Sequence, residues 1–251
     1  SIDIGITSDL PGLPGFQQHG VAAKPLAGFA HSWETFVARM KAENRRPNVT
    51  VIGGGVAGAE LALAMAHRLN TQATPGQITI VESLTPLDDL GQMARERLLQ
   101  ALADYRIEVR EGVTAEEISA EGVTLTNGGF LAADLVVGAA GARPHDWLAD
   151  TGLALTNGFI TVNADLRARN DPDIFAAGDC AHLAHAPRPK AGVYAVRAAP
   201  TLYGNLKSIL TDWPLKPFRP QRDYLKLISL GRQAALADKF NIGVQGSWLW
   251  R

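Results

Sequence analysis

Apolar positions change period several times along the chain. In residues 28–44, Phe29, Trp33, Phe36, Val37 and Met40 recur every three or four positions, and Arg39 and Lys41 gather near the end. That pattern predicts a helix with its cations at the negative end of the dipole. Residues 48–52 form a β-branched apolar run that enters a glycine cluster and then an Ala/Leu-rich helix to about Leu69. A second apolar strand, 78–82, follows the turn at Pro75-Gly76, and Leu98, Ala101, Leu102 and Tyr105 mark an amphipathic helix over 92–105. Strand, helix, strand, helix implies a right-handed parallel unit. Three strands follow, at 107–109, 123–125 and 130–137, with Asn127-Gly128 suited to a tight hairpin turn. Beyond a Gly/Ala/Pro corner at 138–144, short strands are expected around Ile160 and Ile174, then a long helix over 191–210. Residues 1–25, with Leu10-Pro11-Gly12 echoed at Leu13-Pro14-Gly15, read as a surface connection after a short strand.

Composition narrows the chemistry. The 251 residues are 46% hydrophobic and 20% charged, enough to bury a large core and against wholesale disorder. With 24 Lys and Arg against 25 Asp and Glu, no nucleic-acid partner is expected. A single cysteine excludes an intramolecular disulfide or a thiolate zinc cluster within this chain and makes a reducing, cytoplasmic setting the default. The weakly polar run 49–66 approaches membrane-span length, but its glycines and Glu60 favour a buried strand and helix.

The glycine cluster carries the most specific signal. In Gly53-Gly54-Gly55-Val56-Ala57-Gly58, Gly53 permits the tight turn, Gly55 lets the backbone approach a pyrophosphate, and Gly58 lets helix and strand pack closely. The amides at the helix start, around Val56 and Ala57, would meet the phosphates. Glu82 closes the next strand 24 residues past Gly58, where a carboxylate can accept both hydroxyls of an adenosine ribose or stand as a solvated strand-end acid. It would repel a 2'-phosphate, and Ser83, Leu84 and Thr85 supply no Arg, so NAD(H) is expected over NADP(H). Glu60, on the first turn of the helix, either orients a group on the nicotinamide side or caps the helix.

Three motifs in order resemble the two-dinucleotide-binding-domain flavoproteins, the pyridine nucleotide-disulfide oxidoreductase family in its broad sense. Residues 51–60 resemble the family's NAD motif, residues 136–144, with Gly141, its crossover, and Ile174-Phe175-Ala176-Ala177-Gly178-Asp179 its second flavin motif. The resemblance implies an α/β fold: a Rossmann-like NAD-binding domain with a parallel sheet and a small antiparallel addition, inserted in a partial FAD-binding α/β domain. It implies Gly178 and Asp179 as FAD contacts, Asp179 accepting from the ribityl chain, with a helix N-cap as its plain alternative. The family's first flavin half is not found in the chain, so roughly a hundred residues of a longer parent are expected ahead of Ser1. The expected division is 1–46, the end of that half and a connecting helix; 47–142, the NAD domain; and 143–251, the second flavin half.

Residues 189–197 and 230–237 resemble more closely the NADH dehydrogenase-like branch, including the flavoprotein region fused to selenide, water dikinase. This implies NADH reducing flavin and flavin reducing a small-molecule acceptor: a quinone, a disulfide or a selenium compound. The branch's Ala-Gln pair is missing, and the catalytic residues stay unassigned. A nucleotide-binding regulatory module without turnover is the competing class. Lys190 either stabilises negative charge on a reduced flavin or is a solvated lysine, while Tyr194 reads as packing. Cys180 reads as a small buried side chain at a strand-to-helix corner. His182 and His185 could share a helical face but lack a third ligand, so no metal is expected. The tail 247–251 reads as a contact with an inner-membrane surface or as a core helix cut short.

Overall fold

A computed structural model describes residues 1–71, 75–239 and 242–250, apart from the side chain of Ile242. The chain forms two compact units, residues 8–141 with 225–251, and residues 1–7 with 142–224.

In the larger unit, α1 (Phe16–His19) and β1 (Gly20–Ala22) precede α2 (Leu26–Ala42), which buries Phe29, Trp33, Phe36, Val37 and Met40. Then come β2 (Asn48–Ile52), α3 (Val56–Thr71), β3 (Gln77–Glu82), α4 (Gln92–Asp104), β4 (Glu108–Glu111), β5 (Ala115–Ile118), β6 (Gly122–Leu125), β7 (Phe130–Ala132) and β8 (Leu135–Gly138). The central sheet is parallel throughout, in the order β1-β8-β2-β3-β4, and its middle strands are apolar on both faces. Helices α2, α3 and α4 bury Val37, Leu63 and Leu98 in the same core as Val51 and Ile80, the arrangement that right-handed crossovers produce. β5-β6-β7 form the small antiparallel addition, with Gly128 at φ 80° in its turn.

Two expectations change here. The apolar run 130–137 is two strands in two sheets. Ala133 donates to Glu121 O, and Asp134 then caps the neighbouring strand by accepting from the Asn48 amide (2.9 Å), so the chain switches from hairpin to central sheet at that pair. Residues 8–46 also pack with the unit that holds the glycine turn, because β1 pairs with β8 and α2 shares its core.

The smaller unit contains a 3₁₀ turn (Asp146–Thr151), β9 (Leu155–Thr156), β10 (Phe159–Val162), β11 (Arg167–Ala168), β12 (Asp171–Phe175), a second 3₁₀ turn (Gly178–Cys180), β13 (Ala181–Leu183) and α5 (Gly192–Ile209). Its sheet order is β12-β11-β10-β13, and β9 also pairs with β10. Residues 1–7 belong to it through a parallel bridge between Ile2 and Ala176 and an antiparallel one between Thr7 and Arg143. The tail returns to the larger unit as β14 (Lys226–Ser229), β15 (Ala235–Lys239) and β16 (Ile242–Gly246), which bury Ile228 and Leu236 in the α3 and α4 core. Residues 225–251 therefore leave the span expected for a second flavin half.

Candidate functional site

The larger unit builds its site where β2 meets α3. Gly53 has φ 115°, and a Cβ there would lie 2.7 Å from Ala140 N, so the turn demands glycine sterically as well as conformationally. A Cβ on Gly58 would stand 2.0 Å from Gly53 O, which is the close helix-to-strand approach expected of it. Nothing lies within 4 Å of a Cβ on Gly55, and both Gly55 and Ala57 are exposed. The amides of Val56, Ala57 and Gly58, at the start of α3, cannot find acceptors within the helix, whereas Ala59 already donates to Gly55 O (3.0 Å). These residues fit a pyrophosphate.

Glu82 is more firmly held than its strand-end position suggested. Its Oε2 accepts from the Gly54 amide (2.6 Å), and its Oε1 accepts from the Leu84 amide (2.9 Å) and the Ser83 hydroxyl (3.2 Å). Gly54 thus joins the site as a residue the motif reading passed over. A Cβ there would come within 2.8 Å of Glu82 Cβ, so the signal was the unbroken run of three glycines. The carboxylate is oriented by these donors, and its remaining lone-pair directions are available to hydroxyl donors.

Glu60 takes a role that neither expectation included. Its Oε1 accepts from the Ser229 amide of β14 at 2.7 Å, so it clamps the C-terminal sheet to α3 instead of capping the helix. Burial pushes its carboxyl above the usual carboxylate range, and the Ser229 bond opposes this. Gly231, at φ 80°, completes the clamp, since a Cβ there would lie 2.6 Å from Leu63 O.

In the smaller unit, Gly178 has φ 71°, and a Cβ on it would meet Asp3 Oδ1 at 2.6 Å. Asp179 is not an N-cap: Ala177 precedes the turn, no side chain caps it, and the chain continues into β13. Half-buried, its carboxylate makes no hydrogen bond among the described residues and faces the charge of Lys190. Lys190 lies just ahead of α5 rather than on its first turn. Its Nζ donates to Ala181 O (2.6 Å) and sits 3.8 Å from the centre of the Phe159 ring, so it is not a solvated lysine. Burial lowers its pKa, while Asp179 and Cys180 raise it. A cleft of about 30 Å³ is lined by Gly178, Asp179, His182, Lys190 and Tyr194. The glycine backbone, free carboxylate and fixed cation are a donor and acceptor set suited to the sugar chain of FAD.

The remaining candidates resolve simply. Tyr194 is buried and meets Tyr224 edge-on at 5.5 Å. Cys180 is buried, with its thiol donating to Ala177 O (3.2 Å), and burial pushes its pKa up. The corner it occupies leads into a strand, not a helix. His182 lies on β13 and His185 Nε2 contacts Phe218 O (2.9 Å), so they share no helical face. Gly141 has φ 72° at the exposed crossover, with open space about it. Trp248 and Trp250 are exposed on a 3₁₀ turn, which excludes a buried core helix, while Arg251 lies outside the described residues. No helix among the described residues is long and apolar enough to cross a membrane.

Residues 4–199 match the family described as pyridine nucleotide-disulphide oxidoreductase. The chain belongs to that family. Among individual relatives of this pyridine nucleotide-disulphide oxidoreductase chain, an NADH dehydrogenase-like protein of Mycobacterium tuberculosis is 32% identical over 180 residues, covering 68% of this chain and 45% of the relative. A type II NADH:quinone oxidoreductase of Haemophilus influenzae is 28% identical over 226 residues, covering 83% and 50%. In fold, the chain is similar to the crystal structure of an FAD-dependent pyridine nucleotide-disulphide oxidoreductase from Desulfovibrio vulgaris, with a TM-score of 0.67 at 23% identity, over 94% of this chain and 58% of that one. The chain spans about half the length of the curated relatives it matches.

Proposed function

We propose that this chain is the nucleotide-binding portion and part of the flavin-binding portion of an FAD-dependent NADH oxidoreductase. The observation that carries the reading is the pairing of an open glycine turn at 53–58 with a carboxylate, Glu82, oriented beside it by the Gly54 amide. In this reading the amides of Val56 and Ala57 take the pyrophosphate and Glu82 takes the adenosine ribose. Residues 47–141 form the core of the NAD domain, joined by 8–46 and the C-terminal sheet. Residues 1–7 and 142–224 are flavin-domain elements.

Gly178, Asp179 and Lys190 are the residues that would hold FAD. Gly178 lets the backbone come close, Asp179 accepts from a sugar hydroxyl, and Lys190 offers a positive charge kept in place by Ala181 and Phe159. Bound there, FAD would supply hydride-accepting redox chemistry between NADH and a small-molecule acceptor, with the protein contributing position and electrostatics. The relatives' names favour a quinone among the acceptors considered. The setting we propose is cytoplasmic, with contact at an inner-membrane surface through the exposed Trp248 and Trp250. A fused selenide, water dikinase domain remains part of this proposal through the residues 189–197 and 230–237 that resemble that branch.

Expressed from its full reading frame, the protein is expected to be yellow and to be bleached by NADH without oxygen. A colourless protein inert to NADH sinks the oxidoreductase reading and leaves the nucleotide-binding module. Separate titrations should give at least tenfold tighter binding of NADH than of NADPH. Equal affinities would show that Glu82 does not select the cofactor.

A further inference from the structure

Residues 83–91 leave β3 at Glu82 and lead into α4, forming the segment that follows the ribose-side carboxylate. Among the bonds that hold this segment, four bear on its position. The Leu84 amide donates to Glu82 Oε1, the Leu87 amide donates to Gly54 O (3.0 Å), Arg95 Nε donates to Pro86 O (2.8 Å), and Lys226 Nζ donates to Asp89 O (2.6 Å). The Leu87 bond matters most for the site, because Gly54 is the residue whose amide orients Glu82. Leu87 is buried at φ 59°, a conformation that L side chains adopt only where surrounding contacts hold them.

Two of these bonds come from the elements adjoining the segment in sequence, β3 and α4, and one from the glycine turn after β2. The fourth comes from β14, 137 residues away. Lys226 stands opposite Asp238 in the β14-β15 register, with its Nζ 4.0 Å from Asp238 Oδ2. Asp238 is buried, and its Oδ1 accepts no hydrogen bond among the described residues. A carboxylate withdrawn from water in this way is costly unless a cation stays beside it. Its attraction therefore keeps the ammonium where it also reaches the Asp89 carbonyl.

We propose that Lys226, held by Asp238, is a positioning residue for the nucleotide site. It pins residues 83–91, and through Leu87 the Gly54 peptide, so that the C-terminal sheet sets affinity for the adenosine end of a pyridine nucleotide. The affinity part rests on the nucleotide reading above; the tether does not.

The test measures NADH and AMP affinity, amide hydrogen exchange and melting temperature on the whole chain. Lys226→Met is expected to weaken NADH and AMP alike by about 3- to 10-fold, the range over which coupled neighbouring elements act. It should also speed exchange at Leu84 and Leu87 by a similar factor. Lys226→Arg, which keeps the cation and its donors, should stay within about twofold of the parent. Asp238→Asn, the second variant should the first fail to fold, should shift both readouts in the same direction by less. Unchanged exchange at Leu87 overturns the tether. Faster exchange with NADH and AMP affinities unaltered overturns its role in binding, even if the melting temperature falls. A parent chain that binds neither nucleotide overturns the nucleotide reading and the affinity claim with it, while faster Leu87 exchange in the variant would still support the tether.

Discussion

Glu82 ends β3 beside a glycine turn and Asp179 sits in the 3₁₀ turn after β12 beside a glycine of positive φ, yet the surroundings of the two acids differ. Three donors of the larger unit converge on Glu82, two of them backbone amides. Asp179 in the smaller unit receives no hydrogen bond among the described residues and lies near the charge of Lys190, which is tied to other groups. One acid is therefore oriented by its own fold, and removing it disturbs the loop. The other contributes little to its fold and is free to serve a ligand. The two corners look alike in sequence and separate only when each acid's donors are counted.

The strongest way to break the preorganised side is Gly58→Ala. Its Cβ would overlap the Gly53 carbonyl, so chemical denaturation should show a loss of about 3 kcal/mol, and NADH binding should disappear. Next, Glu82→Gln leaves one of the converging amides facing an NH₂ group. Urea unfolding should lose about 1–2 kcal/mol, with NADH affinity falling tenfold or more. The contrast sharpens with Asp179→Asn, whose stability should stay within about 0.5 kcal/mol of the parent because no bond is lost. Its defect should appear only as poorer flavin retention in the full-length protein, measured by the flavin-to-protein absorbance ratio. An Asp179→Asn chain that loses as much stability as Glu82→Gln would erase the distinction.

The smallest effect concerns Glu60. Its folded pKa is raised by burial above an ordinary 4.5, so its contribution is fully present below that value and is lost as pH rises through the folded pKa. Glu60→Gln should therefore flatten the decline of stability from pH 4.5 upward, while the amide oxygen still accepts from Ser229. Parallel pH profiles for variant and parent would show that Glu60 is not the group responsible.

The parallel unit and its loop were legible because their signals are local. The β-branched run at 48–52, three glycines with distinct spatial demands, and an acid at the next strand end all lie within 35 residues. What escaped was set by distant partners. Asp134 is a lone acid inside the otherwise apolar 130–137 run, and its place as the boundary between two sheets depends on its meeting Asn48. β15 includes Ala235, Leu236 and Ala237, an unremarkable sequence whose burial comes from flanking strands and helices. The acceptor role of Glu60 could not be read either, because its donor lies 169 residues later.

The Ser8 hydroxyl donates to the Gly138 carbonyl at 2.9 Å and accepts from the Lys24 amide, so the two points where the chain enters and leaves the larger unit are fastened together. That small fastening bears on the order of folding. The Ile2 amide must find the Phe175 carbonyl across most of the chain, a closure that is slow for a free polymer. Once residues 8–141 have folded, Thr7 and Ala142 emerge from joined ends, and the intervening length no longer counts as open loop. Ser8→Ala is therefore expected to slow the pairing of Ile2 with Phe175 during refolding more than it lowers equilibrium stability.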